Sequence, residues 1–477
     1  MVDGEEVLTY AAWNEQANRL ADALAPLDGR RAAVRSHQCL EWFVIRLALA
    51  KLGWETVAVN WRLTPYETLG ILRDSEPSVL FFDDEDDASL QQCAVQAQVR
   101  PVSLRNGEFA KLLASGAATS RMSDPMAPMV TYSSGTTGRP KGSRKRPPAD
   151  AEHLRTIEEY VAPSVKRARE PSRTLLTLPL HHGAGPRSAR TCHEIGGTVY
   201  LLDRYDPIRA LALIQRHRIT HWKVVPAMLQ RIRALPDATQ RSFDVSSLRA
   251  ISVGSAPTPW ALKEWALDYF GPILHEGYGA SEIGMAAVMR PDGHRRRPGS
   301  CGKLRPHVEA RTVGRDGAAL PPGAEGELEI RTPITITGYL GEGNADDDCI
   351  TEDGYFRTGD VGRLDDDGYL YITGRVKDLI IAGGVNIAPV EVEQALSEHP
   401  AVLEAAVVGR AEPVFGEQVV AFCELRPGRS VTEAELMSFV EPRLAPFKRP
   451  RRIEFLTELP RNALGKVRKD VLREPPP

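Results

Sequence analysis

The sequence predicts an α/β fold with largely parallel sheets, because short apolar runs typical of strands alternate with longer amphipathic stretches typical of helices. A second observation is a change of texture after about Gly299, where Gly and Pro separate short β-like pieces. A third is the segment from about Asp378 to the end, which mixes strand and helix patterns over the length of one small domain. We therefore expect a large N-terminal α/β region, a β-rich subdomain and a small α+β C-terminal domain.

The first two thirds of the chain show the alternation most clearly. From Tyr10 to Leu27 apolar residues recur at steps of three and four, which predicts an amphipathic helix. Further strands are predicted at 78–82, 174–178 and 198–202, and further helices at 207–217 and 226–235. The acidic run 83–87 is predicted to be a solvated loop, since carboxylates crowded this closely repel one another.

The remaining elements are shorter. Strands are predicted in the β-rich subdomain at 326–330 and 368–372, and the C-terminal region is predicted to contain a helix at 390–397, strands at 405–408 and 418–425, and a helix at 433–444.

Composition limits the classes of function. The 477 residues are 42% hydrophobic and 26% charged, close to globular averages, and the formal net charge of −3 gives no global reason to bind nucleic acid. The six cysteines have no metal-ligand spacing, and the sequence has no run of about 18 apolar residues, so we expect neither a secretory leader nor a membrane span. We expect a cytoplasmic monomer or homodimer with reduced thiols and no nucleic-acid partner.

The loop at 131–142 is the most informative stretch. It reads Thr-Tyr-Ser-Ser-Gly-Thr-Thr-Gly-Arg-Pro-Lys-Gly, a density of hydroxyls, glycines and one lysine that suits phosphate binding. It is not a Walker loop, because the fifth residue after Gly135 is Pro140. The predicted phosphate ligands are Ser133, Ser134, Gly135, Thr136, Thr137, Gly138 and Lys141.

This loop resembles the signature of the adenylate-forming superfamily, which includes acyl- and aryl-CoA synthetases, carrier-loading adenylation domains and luciferases. The resemblance continues in family order at 278–282, 355–360, 374–378 and 462–466, and extends from about residue 8 to 470. It implies an N-terminal AMP- and acid-binding domain of stacked subdomains over 1–376. It also implies a mobile C-terminal domain over 377–477, with a hinge near Lys377.

The matched motifs imply roles for the nucleotide. Tyr278 offers a flat face for adenine and Gly279 allows backbone contact with the base. Ser281, where the family more often has Thr, is implied to help hold phosphate, and Glu282 to coordinate Mg²⁺. Asp360 resembles the family carboxylate that accepts hydrogen bonds from both ribose hydroxyls.

Four further residues are implied in the chemistry itself. Arg375 matches the arginine that contacts ribose and phosphates. Lys466 matches the catalytic lysine that reaches the substrate carboxylate and the α-phosphate, whereas Lys469 is expected to be solvent-exposed. Gly383 and Gly384 resemble the loop past which a thiol enters.

For the acid, the resemblance places His182 at the pocket mouth. The pocket walls are implied to include Val225, Gly254, Ser255, Ala256 and Pro257. Small, mostly apolar walls fit an aryl or a medium acyl chain. The Asp that pairs with an amino-acid ammonium in relatives is missing, so an α-amino acid is disfavoured.

The resemblance therefore implies an enzyme that activates a carboxylic acid with ATP and Mg²⁺ and passes the acyl group to CoA. Two alternatives stay open: transfer to a carrier protein or another nucleophile, and a non-catalytic nucleotide-binding protein, which would have no need of Lys466. The basic run 448–452 is either ordinary solvated surface or a contact for the phosphates of the acceptor.

Overall fold

The computed structural model describes residues 1–83, 87–123, 128–134, 140–143, 148–166, 171–314, 316–336, 338–340, 349–382, 385–412, 416–462 and 465–473. Over these residues the chain has the predicted α/β architecture, and its strands form three sheets.

The strands, in chain order, are β1 Val2–Asp3, β2 Glu6–Val7, β3 Arg31–Arg35, β4 Glu55–Ala58, β5 Val79–Phe82, β6 Arg100–Ser103, β7 Met129–Ser134, β8 Pro140–Ser143, β9 Arg173–Leu176, β10 Thr198–Leu201, β11 His221–Val224, β12 Ala250–Gly254, β13 Leu274–Ala280, β14 Gly284–Met289, β15 Ser300–Leu304, β16 Glu309–Val313, β17 Gly326–Arg331, β18 Phe356–Leu364, β19 Tyr369–Arg375, β20 Ile380–Ala382, β21 Val385–Ile387, β22 Val402–Glu412, β23 Gly416–Leu425 and β24 Arg452–Leu456.

The helices, in chain order, are α1 Tyr10–Leu24, α2 Leu40–Leu52, α3 Pro65–Ser75, α4 Asp87–Gln96, α5 Glu108–Ser115, α6 Ala151–Lys166, α7 Ala184–His193, α8 Pro207–His217, α9 Pro226–Arg233, α10 Asp237–Arg241, α11 Trp260–Phe270, α12 Pro389–Ser397, α13 Glu433–Val440 and α14 Lys469–Arg473.

The first sheet has the order β6-β5-β3-β4-β7-β8, and all its pairs are parallel except the hairpin β7-β8. Its strand β5 is apolar at every position and buried at every position, as expected for a parallel strand covered on both faces. Lys141 lies on β8, so this sheet brings the end of the predicted phosphate loop to the site.

The second sheet changes character along its length. Its order is β16-β17-β18-β19-β15-β14-β13-β12-β11-β9-β10-β1-β2; pairing is parallel from β1 through β10, β9, β11 and β12 to β13, and antiparallel from β13 onward to β16. The predicted β-rich subdomain is this antiparallel part. The β13-β14 hairpin marks the change and carries Tyr278, Ser281 and Glu282.

The third sheet contains β20 to β24 and packs on α12 and α13 around a core of its own. The second sheet ends at Arg375 and the third begins at Ile380. The predicted domain boundary, between 376 and 377, falls in this short interval.

Helix α8 illustrates why several predicted elements have the observed limits. Asp206 accepts a hydrogen bond from the backbone N–H of Arg209, and Pro207 occupies the first helical position, where no N–H is needed. Arg218 ends the helix in the left-handed conformation. These signals are local, so the predicted limits 207–217 are confirmed.

The acidic run beginning at Asp83 departs from the prediction. Residues 84–86 lie outside the described part of the chain, but Asp83 itself is buried. Its carboxylate accepts a hydrogen bond from the His37 backbone N–H at 2.9 Å, lies 3.3 Å from His37 Nδ1, and lies 3.5 Å from Arg105 Nη2. Burial raises the pKa of Asp83 and His37 opposes that change. The carboxylate therefore joins parts of the first sheet and is not a solvated loop residue.

Two other features agree with the expectations. All six cysteines are free thiols. In the described part of the chain, each helix is too short or too polar to cross a membrane.

Candidate active site

A cleft of about 3660 Å³ lies where the three sheets meet. The predicted site residues that line it are Lys141, His182, Val225, Gly254, Ser255, Ala256, Pro257, Tyr278, Gly279, Ser281, Glu282, Asp360, Arg375, Lys377 and Lys466. Segments more than 300 residues apart in the chain thus reach one cavity. The predicted ligands Gly135, Thr136, Thr137 and Gly138, and the predicted thiol-passage residues Gly383 and Gly384, lie outside the described residues, as do the side chains of Ser133 and Ser134.

Asp360 is the centre of the polar cluster. One carboxylate oxygen accepts a hydrogen bond from the Tyr278 hydroxyl at 2.6 Å, and the other pairs with Arg375 Nε at 2.7 Å. Asp360 and Arg375 are direct partners across β18 and β19, so the sheet register places the pair. The carboxylate is thereby fixed at the cleft wall, and its remaining lone pairs can accept further hydrogen bonds.

The hairpin between β13 and β14 presents Ser281 and Glu282 in a tight turn. A Cβ on Gly279 would lie 2.0 Å from the carbonyl oxygen of Gly284, so only glycine allows this approach. Gly284 itself has φ +70°, in the left-handed region. In the motif Tyr-Gly-Ala-Ser-Glu, the glycine is therefore required by the backbone packing of the hairpin, whereas the tyrosine, serine and glutamate supply the functional groups.

Glu282 and Lys141 meet around Tyr339. The Tyr339 hydroxyl donates a hydrogen bond to Glu282 Oε1 at 3.3 Å, and Lys141 Nζ lies 5.4 Å from the centre of the Tyr339 ring. A cation over a tyrosine face is attracted by the ring quadrupole. The first and second sheets thus place one positive and one negative group side by side at the cleft.

Lys466 lies in a turn of the C-terminal region that enters the cleft. Its backbone N–H donates a hydrogen bond to Asn462 Oδ1 at 3.1 Å, and its carbonyl accepts one from the Asn462 N–H at 2.9 Å. Gly465 has φ +72°, and a Cβ there would lie 3.2 Å from Ala227 Cβ and 3.8 Å from Val225 Cγ2. The turn therefore rests directly on the predicted wall of the acid pocket.

Arg461 connects this turn to the third sheet. Its guanidinium pairs with Glu404 at 2.6 Å and Glu424 at 3.2 Å on the third sheet, and it donates a hydrogen bond to the Gly465 carbonyl at 3.1 Å. The neighbouring Lys469 was expected to be exposed, but it pairs with Glu393 at 2.7 Å. That prediction was wrong because α12 supplies a carboxylate that the sequence pattern does not reveal.

The charge of Lys466 is set by its surroundings. Burial and the positive charge of Arg375 lower the pKa of Lys466 to about 8, while Asp360 and Glu282 oppose the change. The ammonium is therefore mostly protonated at neutral pH, but it is more easily deprotonated than an exposed lysine. These influences also show that Lys466 is close to the Asp360 cluster.

His182 lies beside Lys466 as a neutral ring. Burial lowers its pKa to about 4, and the charges of Lys466 and Lys223 add to the effect. Its Nδ1 is buried without a hydrogen-bond partner among the described residues. A neutral imidazole with an unused polar atom can exchange a hydrogen bond with a ligand at the pocket mouth.

The wall of the acid pocket depends on close backbone packing. A Cβ on Gly254 would lie 2.7 Å from the carbonyl oxygen of Gly277, so a larger residue at this position is obstructed. Ser255, which follows directly, has φ +70°, a strained conformation for a residue other than glycine. The small residues of the predicted wall are therefore required by the sheet as well as by the cavity.

Sequence reasoning missed the polar end of this pocket. Lys223 on β11 pairs in register with Ser252 on β12, which pairs with His275 on β13, and all three line the cleft. Burial lowers the pKa of Lys223 to about 8, and the charge of Arg187 adds to the effect. The alternation of Lys223 with the buried Trp222 and Val224 was a signal in the sequence, but the register across three strands was not.

The segment around Lys377 connects the two parts of the molecule. It forms a short helical turn, Val376–Asp378, directly after β19. Arg473 of α14 pairs with Asp378 at 2.8 Å and donates a hydrogen bond to the Lys377 carbonyl at 3.4 Å. The basic run 448–452 lies elsewhere and is largely neutralised, since Lys448, Arg449 and Arg452 each pair with a glutamate.

The cleft brings the Asp360 cluster, the predicted pocket walls and the Lys466 turn together, which is the arrangement expected of the adenylate-forming class of enzymes. Family models agree: the AMP-binding enzyme model matches residues 1–340, and the AMP-binding enzyme C-terminal domain model matches residues 391–466. The chain belongs to the AMP-binding enzyme family.

Individual relatives narrow the activity. The chain is 36% identical to an indoleacetate–CoA ligase of Aromatoleum aromaticum, over 98% of this chain and 93% of that protein. It is 33% identical to the fatty acid–[acyl-carrier-protein] ligase ScoC of Streptomyces coeruleorubidus, over 98% and 91% of the two chains. Among solved structures, ATP-bound MatB from Rhodopseudomonas palustris matches with a TM-score of 0.88 at 29% identity, over 99% and 94% of the two chains.

The protein is thus an ATP-dependent carboxylic acid:CoA ligase. It activates a carboxylic acid as the acyl-adenylate with release of pyrophosphate, and then transfers the acyl group to the thiol of CoA with release of AMP.

Proposed function

We propose that the Lys466 turn, the Asp360 cluster and His182 carry out acid activation in the arrangement described above. The observation that carries this proposal is that Lys466, Asp360, Arg375 and Glu282, which come from segments far apart in the chain, all line one cleft. This pose serves the first half-reaction, in which a substrate carboxylate oxygen attacks the α-phosphate of ATP and pyrophosphate leaves.

Asp360 and Arg375 hold the nucleotide. The carboxylate, already fixed by Arg375 and Tyr278, accepts hydrogen bonds from the ribose hydroxyls. Arg375 donates to ribose and phosphate oxygens with the part of its guanidinium that Asp360 does not use. The backbone at Gly279 and the ring of Tyr278 form the surface for adenine.

Lys466 neutralises charge where the acid and the phosphate react. The turn that carries it packs on the wall of the acid pocket through Gly465, and Lys466 lines the same cleft as Asp360 and Glu282, so its ammonium is placed to reach both the substrate carboxylate and an α-phosphate oxygen. His182, neutral at physiological pH, orients the carboxylate without adding charge. Catalysis is then mainly positioning and charge stabilisation.

The residues present fit a magnesium ion that is shared with phosphates. In the described part of the chain, His, Cys, Asp and Glu do not form a group of three or more that could hold a metal alone. Glu282 supplies one carboxylate in the cleft, and Mg²⁺ in phosphate sites is typically held by one or two carboxylates plus phosphate oxygens. When bound, the ion neutralises charge on the phosphates; Glu282 would hold it, with the Ser281 hydroxyl next to it.

The second half-reaction needs a path for the thiol. We place the hinge at Lys377, because the described chain passes from the second sheet to the third through the short segment around it. The predicted thiol-passage residues Gly383 and Gly384 follow it in the sequence. Release of the Gly465 contact with Ala227 and Val225, and of the hydrogen bond that Gln230 donates to the Leu403 carbonyl at 3.0 Å, would free the C-terminal domain, over 377–477, to turn. The thiol of CoA, or of a carrier protein as acceptor, then attacks the acyl carbon and AMP leaves.

The pH dependence of acyl-adenylate formation tests the role of Lys466. The ammonium is charged below its pKa and loses its charge above it, so kcat/KM for the acid is expected to fall as the pH rises above about 8. We would measure acid-dependent pyrophosphate release without CoA from pH 6 to 10. This half-reaction avoids titration of the thiol.

The matched variant is Lys466→Arg, whose guanidinium remains charged throughout this range. Its rate is expected to be lower but level between pH 8 and 10. A wild-type profile that stays level to pH 10, or a variant profile that falls in parallel with it, would contradict the assignment.

A further inference from the structure

The inner end of the acid pocket is cationic. Lys223 lies on β11, and its side chain leaves the sheet on the face that borders the cleft, opposite the buried Trp222 and Val224. Among the described residues its ammonium makes no hydrogen bond and no ion pair. A lysine in such surroundings normally has an anionic partner, because an unpaired buried charge is costly.

A second cation lies close to it. Arg187, on α7, also lines the cleft, and its charge lowers the pKa of Lys223. Its guanidinium likewise makes no hydrogen bond and no ion pair within the described part of the chain. Two like charges beside one pocket repel each other, so the protein alone does not explain their placement.

The carboxylates on β13 and at the end of α7 already have partners. Glu276 on β13 pairs with Lys263 at 2.6 Å, and both side chains are almost completely buried. Glu194, at the end of α7, pairs with Arg190 at 2.7 Å. These two carboxylates are thus not available to Lys223 and Arg187, which favours a ligand as the source of their counter-charge.

The position of the cations relative to Lys466 limits that ligand. Gly465, adjacent to Lys466, approaches Val225, and Lys223 lies two residues earlier on the same face, or roughly 7 Å along the strand. His182 lines the cleft together with both lysines, and the charges of both act on it. A ligand that reaches from Lys466 to Lys223 spans a few carbon atoms or one ring.

We propose that this enzyme prefers dicarboxylic acids, with one carboxylate activated near Lys466 and the other bound by Lys223 and Arg187. The inference rests on the proposed function, because it assigns the second end of the same pocket. Ser252, in register with Lys223, adds a hydroxyl donor for the distal carboxylate. A short aliphatic spacer or a benzene ring separates the two groups.

The test compares each diacid with its own monomethyl ester, which has nearly the same shape but no distal charge. Glutaric, adipic and terephthalic acids and their monomethyl esters are assayed for pyrophosphate release. Indole-3-acetic acid is included as an acid with a single carboxylate and no second charge. For at least one pair, kcat/KM for the diacid is expected to exceed that for the ester by about 30-fold or more, the loss typical when one partner of a buried charge pair is removed.

The variant Lys223→Met keeps the length of the side chain and removes its charge. It is expected to abolish the preference for the diacid, because kcat/KM for the diacid falls much more than kcat/KM for the ester. Lys111→Met, on the exposed face of α5, is the control and is expected to keep the wild-type ratio. Thermal melting with and without each diacid gives a second readout that needs no turnover.

The outcomes are distinct. If the wild-type enzyme is as active, or more active, with the esters or with indole-3-acetic acid than with the diacids, the inference is overturned and the proposed function is not affected. This comparison does not depend on the folding of a variant. Equal losses for diacid and ester in Lys223→Met, with the fold retained, would also overturn it. Silence with every acid would remove the proposed function, and the inference with it.

Discussion

Replacing Lys466 with Ala is expected to lower the rate of acyl-adenylate formation by about 10²–10³-fold, the usual loss when one preorganised charge donor is removed from a transition state. The physical reason is that Lys466 lines the same cleft as the Asp360 cluster, on a turn that packs against the wall of the acid pocket through Gly465. The substitution is expected to change the fold little, because hydrogen bonds from the Asn462 backbone and from Arg461 hold the turn.

The measurement is single-turnover formation of acyl-adenylate, with nucleotide binding followed separately. Lys111→Ala, an exposed lysine remote from the cleft, is the matched control and is expected to behave as wild type. Retention of more than about a tenth of the wild-type rate by the Lys466 variant would contradict a role in transition-state stabilisation.

Replacing Asp360 with Asn is expected to lower kcat/KM for ATP by about 100-fold. The substitution keeps the shape but removes the negative charge that fixes Arg375, and it leaves one oxygen where two now accept hydrogen bonds. Charged hydrogen bonds are worth about 1.5–3 kcal/mol each, so the loss of ribose and arginine contacts accounts for an effect of this size.

The Asp360→Asn substitution is expected to raise mainly the KM for ATP, and to change the KM for the acid less. The control is Asp365→Asn on the same β18-β19 hairpin, because Asp365 pairs with Arg297 at 3.2 Å and does not itself line the cleft. An Asp360 variant with an unchanged KM for ATP would show that this carboxylate does not hold the ribose.

The fold class and most of the elements could be predicted from local signals in the sequence. Helix α8 has a cap, a proline start and a regular apolar face, and β5 is apolar at every position, so both were located closely. The site motifs could be found because their chemistry is concentrated in short turns, such as the one that presents Ser281 and Glu282.

The features that could not be predicted from the sequence depend on contacts between segments that are far apart in the chain. Asp83 is buried because His37 and Arg105 meet it, and Lys469 is paired because α12 lies beside it. Lys223 is the most important case, since its position at the end of the acid pocket depends on the register of three strands. The small, mostly apolar walls predicted an acid with an aryl group or a medium acyl chain. The polar end of the pocket instead favours an acid with a second negative charge.

The most direct test of the central claim is product analysis with the wild-type enzyme, ATP, CoA and a panel of mono- and dicarboxylic acids, by mass spectrometry and nucleotide chromatography. The account predicts an acyl-CoA thioester formed together with equal amounts of AMP and pyrophosphate, and no thioester when ATP is omitted. Release of ADP and phosphate, or thioester formation without cleavage of ATP to AMP, would contradict it.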